Sequence, residues 1–394
     1  SIGGFTFVVF KTYKMNDMKG KQGMVCMGLL LVLSSCHTGK QITASGLQRK
    51  DFQTEVNGQH TDLFTLSNKQ GMEVCITNYG ARVVSILVPD RNGKREDVVC
   101  GFSTITEYME QRQNFGSTVG RYIGRILNAR FTLDGVEYKL VPNNGKSGHI
   151  SHGGNPGFAD RIWKVEQADT HRVCLSYLSP DGENGFPGNL KVTLVYSLGE
   201  DDNALDLTYE ATTDAPTVLN LSHHSFFNIS GNFTKSVEDQ QLWVDADRFT
   251  PYDDKKCVTG EYLQVAGTPL DFRMPHAIGE CIDADHPQLK VVNGYDHTWE
   301  LNTKGDDTRP AAWVYDPASG RKMEIFTTEP GMQIYTGNGL KGKMTGKRGI
   351  AYPFRSAVCF ETMHFQDSPN QPGFPSTVLR PGEVFRSHTV YKFE

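Results

Sequence analysis

The sequence has no C-x-x-C pair, no glycine-rich phosphate loop behind a strand, and no long block of one charge sign. Each absence removes a class of function. Eight cysteines without close pairing speak against a structural zinc site of the finger or ribbon kind. Without a Gly-rich turn between strand and helix, nucleotide binding is not suggested. A net charge of -5, from 40 basic and 45 acidic residues, leaves no basic footprint for nucleic acid. After residue 50 there is no low-complexity linker and no internal repeat. What the chain does have is 40 glycines and 10% aromatics, which suits many short strands joined by tight turns.

The first forty residues differ from the rest. Lys19 and Lys21 precede an apolar run, Met24 to Leu33, which ends in Leu33-Ser34-Ser35-Cys36. The run falls short of the roughly 20 apolar residues a membrane helix needs. A basic flank, a short apolar core and small residues describe a secretory signal. The ending resembles a bacterial lipobox, with cleavage before Cys36 and lipid on its sulfur. Ordinary cleavage near Ser35 and a buried helix are the alternatives. Met15, Met18 and Met24 can each serve as a start, which puts residues 1–14 upstream of translation. Residues 1–40 are therefore set apart from the fold. The expected location is the periplasm, with membrane contact only through lipid on Cys36. The spacing of the six cysteines after Cys36 specifies no disulfide pairing.

From about residue 50 the pattern is strand after strand. Asn78-Tyr79-Gly80 breaks the first short runs, and Pro89 to Gly93 and then Asp134-Gly135 read as hairpin turns. In 204–213, Leu205, Leu207 and Tyr209 alternate with Asp206, Thr208 and Glu210, so one face is apolar. The best helix candidate is 103–112. The pattern predicts one all-β domain over 50–394, a large antiparallel β-sandwich of two packed sheets.

Two adjacent histidines stand in 219-LNLSHHSFFNIS-230. On a strand, neighbouring side chains point to opposite faces. His223 and His224 therefore cannot easily grip one metal ion, and at most one of them faces a given site. Other stretches carry polar groups among glycines and turns: Arg121 and Arg125 in 116–131, His152 before Gly153-Gly154, Asp296 in 293-NGYDHTWEL-301, Gln333 in 329–339, and Glu361 in 360-FETMHFQDSPN-370. Singly, each has an ordinary reading as a loop histidine, a turn cap, a solvated carboxylate or a snorkelling arginine.

Together and in this order, the stretches resemble the galactose mutarotase (aldose 1-epimerase) family, from about residue 50 to the C-terminus. The motifs are His152 to Gly154, Asn220 to Ile229, Gly294 to His297, Pro330 to Asn338 and Glu361 to Asn370, with G-R-x-x-N-R-I as Gly120 to Ile126. The departures are Gly124 where the family has asparagine and Phe226 where it has tyrosine. The resemblance implies the family's large β supersandwich. It also implies His224 as catalytic acid, Glu361 as catalytic base, and Arg125, His152, Asp296 and Gln333 as sugar-binding residues. His223, where the family often has asparagine, is left to pack inside the fold.

The chemistry explains the residue types. Interconverting α and β anomers of a free hexose requires opening the ring. A base takes the C1 hydroxyl proton while an acid protonates the departing ring oxygen. Neither cofactor nor metal is required. Mutual attraction is expected to keep Glu361 ionised and His224 protonated. His152 and Arg125 are placed to stabilise charge on the ring oxygen, and Asp296 and Gln333 to hold hydroxyls. The expected partner is a monosaccharide, the chain acting as monomer or homodimer. Rival readings are a non-catalytic carbohydrate-binding sandwich, a glycosidase using Asp296 and Glu361, and a hexose-phosphate epimerase.

Overall fold

A computed structural model describes residues 41–394. The segment 1–40, with its signal pattern and Cys36, lies outside the described residues. Among those described, no helix is long and apolar enough to cross a membrane. Packed structure begins before residue 50. Ile42 bridges to Gln48, and the amides of Ala44 and Ser45 donate to the buried Glu73 carboxylate.

The turns form where the sequence places them. Asp134 and Gly135 both take positive φ, at 52° and 81°, and close the hairpin of Arg130–Leu133 with Val136–Lys139. That is the left-handed backbone a two-residue hairpin demands, and the reason glycine stands there. Asp90 to Gly93 likewise joins Arg82–Pro89 to Arg95–Asp97. The helix comes out as Ile105–Gln111, started by a capping box between Thr104 and Glu107.

Alternation builds the large sheet. Leu190–Leu198 pairs antiparallel with Ala204–Thr213, setting Leu194 opposite Tyr209 and Tyr196 opposite Leu207. Leu205, Leu207 and Tyr209 are buried and the alternating Asp206, Thr208 and Glu210 are not. Each such apolar side chain taken out of water contributes about 1.5–3 kcal/mol. The sheet has nine strands. At its centre the C-terminal strand Phe385–Phe393 lies between Ala204–Thr213 and Lys322–Thr327.

A second sheet has six strands, ordered Phe226–Phe227, Val358–Met363, Gly331–Tyr335, Asp296–Glu300, Arg248–Thr250 and Leu263–Gln264. The two sheets share one core, where Leu194, Leu207, Ile325 and Tyr391 meet Phe249, Trp299, Ile334 and Phe360. Tyr391 donates across it to the Phe360 carbonyl at 3.0 Å. A four-stranded sheet, Leu63–Ser67 to Arg95–Asp97, adds Val74, Val83 and Ile86 to the same core. The architecture is thus the antiparallel sandwich of the sequence reading, extended by a third sheet.

Candidate active site

Three neighbouring strands set three of the candidate residues side by side. In their register Gln333 lies opposite Glu361 on one side and opposite Thr298 on the other. Asp296 stands two residues before Thr298 and so on the same face. The fourth side chain comes from a short strand, Ser222–His224, paired with Ser117–Val119. That ladder ends at His224, and after Ser225 the chain pairs instead through Phe226–Phe227 with Val358–Met363. Alternation sends the two histidines apart. His223 enters the inter-sheet core, where its Nε2 meets the Ser225 hydroxyl at 2.6 Å and its ring contacts Tyr196 and Tyr391. His224 faces a pocket instead.

That pocket has a volume of about 250 Å³. This is at the small end for ligand sites and suited to one sugar ring. All six candidates, Arg125, His152, His224, Asp296, Gln333 and Glu361, line it. His224 Nε2 is 3.2 Å from Glu361 Oε1, and the two residues are only 6% and 4% exposed. Phe226 stacks flat on the His224 ring at 5.0 Å, which fixes the imidazole plane. His152 meets the same ring edge-on at 5.5 Å. Its backbone sits at φ 53°, held by its amide donating to the Gly124 carbonyl at 2.9 Å. The Gly124 amide donates to His152 Nδ1 at 3.4 Å, so the ring's own proton sits on Nε2. Gly153 must be glycine: its φ is 79°, and a Cβ there would stand 2.0 Å from the Gly120 carbonyl oxygen.

Burial sets the protonation states. It pushes the Glu361 carboxyl well above its usual range, and the nearby Asp296 adds to this. It pushes His224 well below the usual histidine value, helped by repulsion from His152. Both shifts oppose the charged forms that mutual attraction was expected to keep. Desolvation leads both shifts and disfavours the charged form of each group. His152 is lowered to about 4, again by burial first and then by Arg125. Asp296 is raised by burial, with Arg125 and the Gln333 amide opposing.

The structure separates the two arginines. Arg121 is a fold residue, buried and donating to the carbonyls of Pro187, Gly188 and Ser179. Arg125 lines the pocket, and its guanidinium makes no hydrogen bond or ion pair among the described residues. Gln333 is more committed than a free sugar-binding amide. Its Nε2 donates to Asp296 Oδ1 at 2.6 Å, while its Oε1 accepts from Thr298 and from Gln366. Gln333 thus aims the Asp296 carboxylate. Gln366 and Tyr335 also line the pocket and were not among the candidates. The only signal for Gln366 was its place inside the 361–370 motif, where a variable position gives no chemistry of its own. Among the described residues one group of metal-ligand type occurs, His224, Cys359 and Glu361, with ligand atoms within 4.8 Å of one another. An ion held there would occupy both His224 and Glu361. The six described cysteines are free thiols.

The family model for aldose 1-epimerase matches residues 62–392. A galactose mutarotase of Bos taurus is 40% identical over 331 residues, 84% of this chain and 93% of that protein. An aldose 1-epimerase of Escherichia coli K12 is 36% identical over 340 residues, 86% of this chain and 96% of that protein. Among solved structures, a GalM/aldose epimerase homologue from C. elegans superposes with a TM-score of 0.78 at 31% identity, covering 85% of this chain and 99% of that one. A galactose 1-epimerase from Lactobacillus acidophilus NCFM does so with a TM-score of 0.75 at 28% identity, covering 86% and 96%. With a family match over most of its length and a pocket lined by a buried histidine–glutamate pair, this chain belongs to the aldose 1-epimerase family.

Proposed function

We propose that this protein is an isomerase that interconverts the α and β anomers of free hexoses such as galactose and glucose, with Glu361 as base and His224 as acid. The observation that carries the reading is the 3.2 Å contact between His224 Nε2 and Glu361 Oε1 inside the pocket. A neutral His224–Glu361 pair and the charged pair the reaction needs hold the same single proton. Transfer from Glu361 to His224 across that contact converts one into the other without a net charge change. Sugar hydroxyls entering the pocket replace lost hydration and favour the charged form. Glu361 then takes the C1 hydroxyl proton. The C1–ring oxygen bond breaks with its electron pair on oxygen, and His224 donates a proton there. The open aldehyde turns about C1–C2 and closes on its other face with the roles reversed.

Arg125, with its guanidinium uncommitted, and His152, with its proton on Nε2, supply donors for charge developing on the ring oxygen. Asp296, aimed by Gln333, accepts from sugar hydroxyls and gives orientation. Polarimetry on freshly dissolved α-D-galactose and α-D-glucose tests the reading. Purified protein is expected to speed the decay of optical rotation, and decay at the buffer rate refutes it. A carbohydrate-binding sandwich would leave the rotation untouched while still binding sugar. Export to the periplasm and lipid attachment at Cys36 stay part of the proposal on the signal-like segment alone, tested by membrane fractionation against a Cys36→Ser variant.

A further inference from the structure

Gly124 and Gln366 occupy one another's space. Gly124 has φ 74°, and a Cβ built on it would stand 2.5 Å from Gln366 Cγ and 3.0 Å from its Cδ. Gln366 is 4% exposed, lines the pocket, and is held at three points. Its Nε2 donates to the Tyr252 hydroxyl at 2.7 Å and to Gln333 Oε1 at 3.3 Å, and its Oε1 accepts from the Arg125 amide at 3.2 Å. Both N–H bonds of the carboxamide are thus used. One lone pair of Oε1 remains, in a residue that borders the sugar space. The pattern that Gly120 to Ile126 resembles has asparagine at 124. Asparagine is also the side chain that best tolerates a positive φ, so the backbone here would accept it. What does not accept it is Gln366.

We propose that Gln366 supplies, from the space a side chain at 124 would take, the amide that Gly124 lacks, and that it contacts a sugar hydroxyl and sets sugar preference in this chain. The inference rests on the mutarotase reading of the same pocket. Gln366 bonds neither His224 nor Glu361, so its effect falls on binding rather than on proton transfer.

The test is an exchange. Gln366→Ala is expected to raise KM for galactose about 5-fold, the worth of one neutral hydrogen bond, and to change the galactose-to-glucose ratio while kcat stays within about 2-fold. Gly124→Asn/Gln366→Ala is expected to return KM to within about 2-fold of the parent. Gln366→Met keeps the volume over Gly124 without the amide, and serves if the alanine variant does not fold. An unchanged KM in Gln366→Ala and Gln366→Met, or a double variant no better than Gln366→Ala, overturns the proposal. Calorimetric titration with galactose in a Glu361→Gln background reads binding without turnover. Weakened binding there in a parent protein that shows no mutarotation keeps this inference and removes the reaction. No binding by any variant removes both.

Discussion

Glu361 and His224 share one proton, and the site's pH behaviour follows from where burial sends it. His224 is pushed below its usual value, so the pair takes up a second proton only on the acid side. Glu361 is pushed up, so the shared proton is lost only on the alkaline side. A plot of kcat/KM against pH is therefore expected to be bell-shaped, with both limbs belonging to the pair rather than to either residue. Glu361→Gln is expected to lower kcat by about 10²–10⁴-fold with calorimetric sugar affinity little changed; equal activity would refute the base assignment. His223 makes the contrast. Lowered to about 3 by burial, it is a neutral core group. His223→Asn is expected to cost about 1–3 kcal/mol in urea unfolding through the lost Ser225 and Tyr196 partners, leaving the pH–rate curve in place. At this scale the residue types were legible and the charge states were not. A sequence shows that a carboxyl and an imidazole exist, but desolvation is a property of what surrounds them.

Register is the decisive quantity at the scale of elements. Gln333 faces Glu361 because strands Gly331–Tyr335 and Val358–Met363 pair in one phase, and a one-residue slip would turn both away from the pocket. The alternation that separates His223 from His224 was readable, and so were the turns at Asp134-Gly135 and Asp90 to Gly93. The change of strand partner after Ser225 and the short helix Pro287–Val292 were not, since both depend on neighbours distant in sequence. The strand Phe385–Phe393 carries a test of its own. His388 lies between Asp206 on the adjacent strand, at 3.2 Å, and Asp307 on a loop, at 2.7 Å. Those carboxylates raise it to about 9. A histidine raised on folding stabilises fully below its unfolded value of about 6.5 and loses that contribution as pH climbs through the folded value. The Tm gap between the parent and His388→Gln is expected to be widest at or below pH ~6.5 and to close by pH ~9. Its size is at most about 1 kcal/mol, because the side chain is a third exposed. A gap independent of pH would contradict the pairing.

Across the whole molecule, the two large sheets are joined beneath the site. Tyr391 packs on His223 and Phe227 and donates to the Phe360 carbonyl, one residue before Glu361. Thr362 and Thr389 meet across the same core at 2.7 Å. Tyr391→Phe is expected to cost about 1 kcal/mol in denaturant unfolding, with kcat unchanged. A large fall in kcat at unchanged stability would mean the inter-sheet contact tunes the pair directly.

By itself the sequence determined the all-β class, the hairpins and six of the groups lining the pocket. Local alternation, turn chemistry and motif order are properties of short stretches, which a linear reading captures. Tertiary structure alone decided that residues 224 and 361 stand 3.2 Å apart, that burial shifts both against their charged forms, that Gln333 is held against Asp296, and that Gln366 fills the room left by Gly124. Each of these depends on which distant strands become neighbours and on how much water they exclude. Long-range packing sets both, and no stretch of sequence contains it.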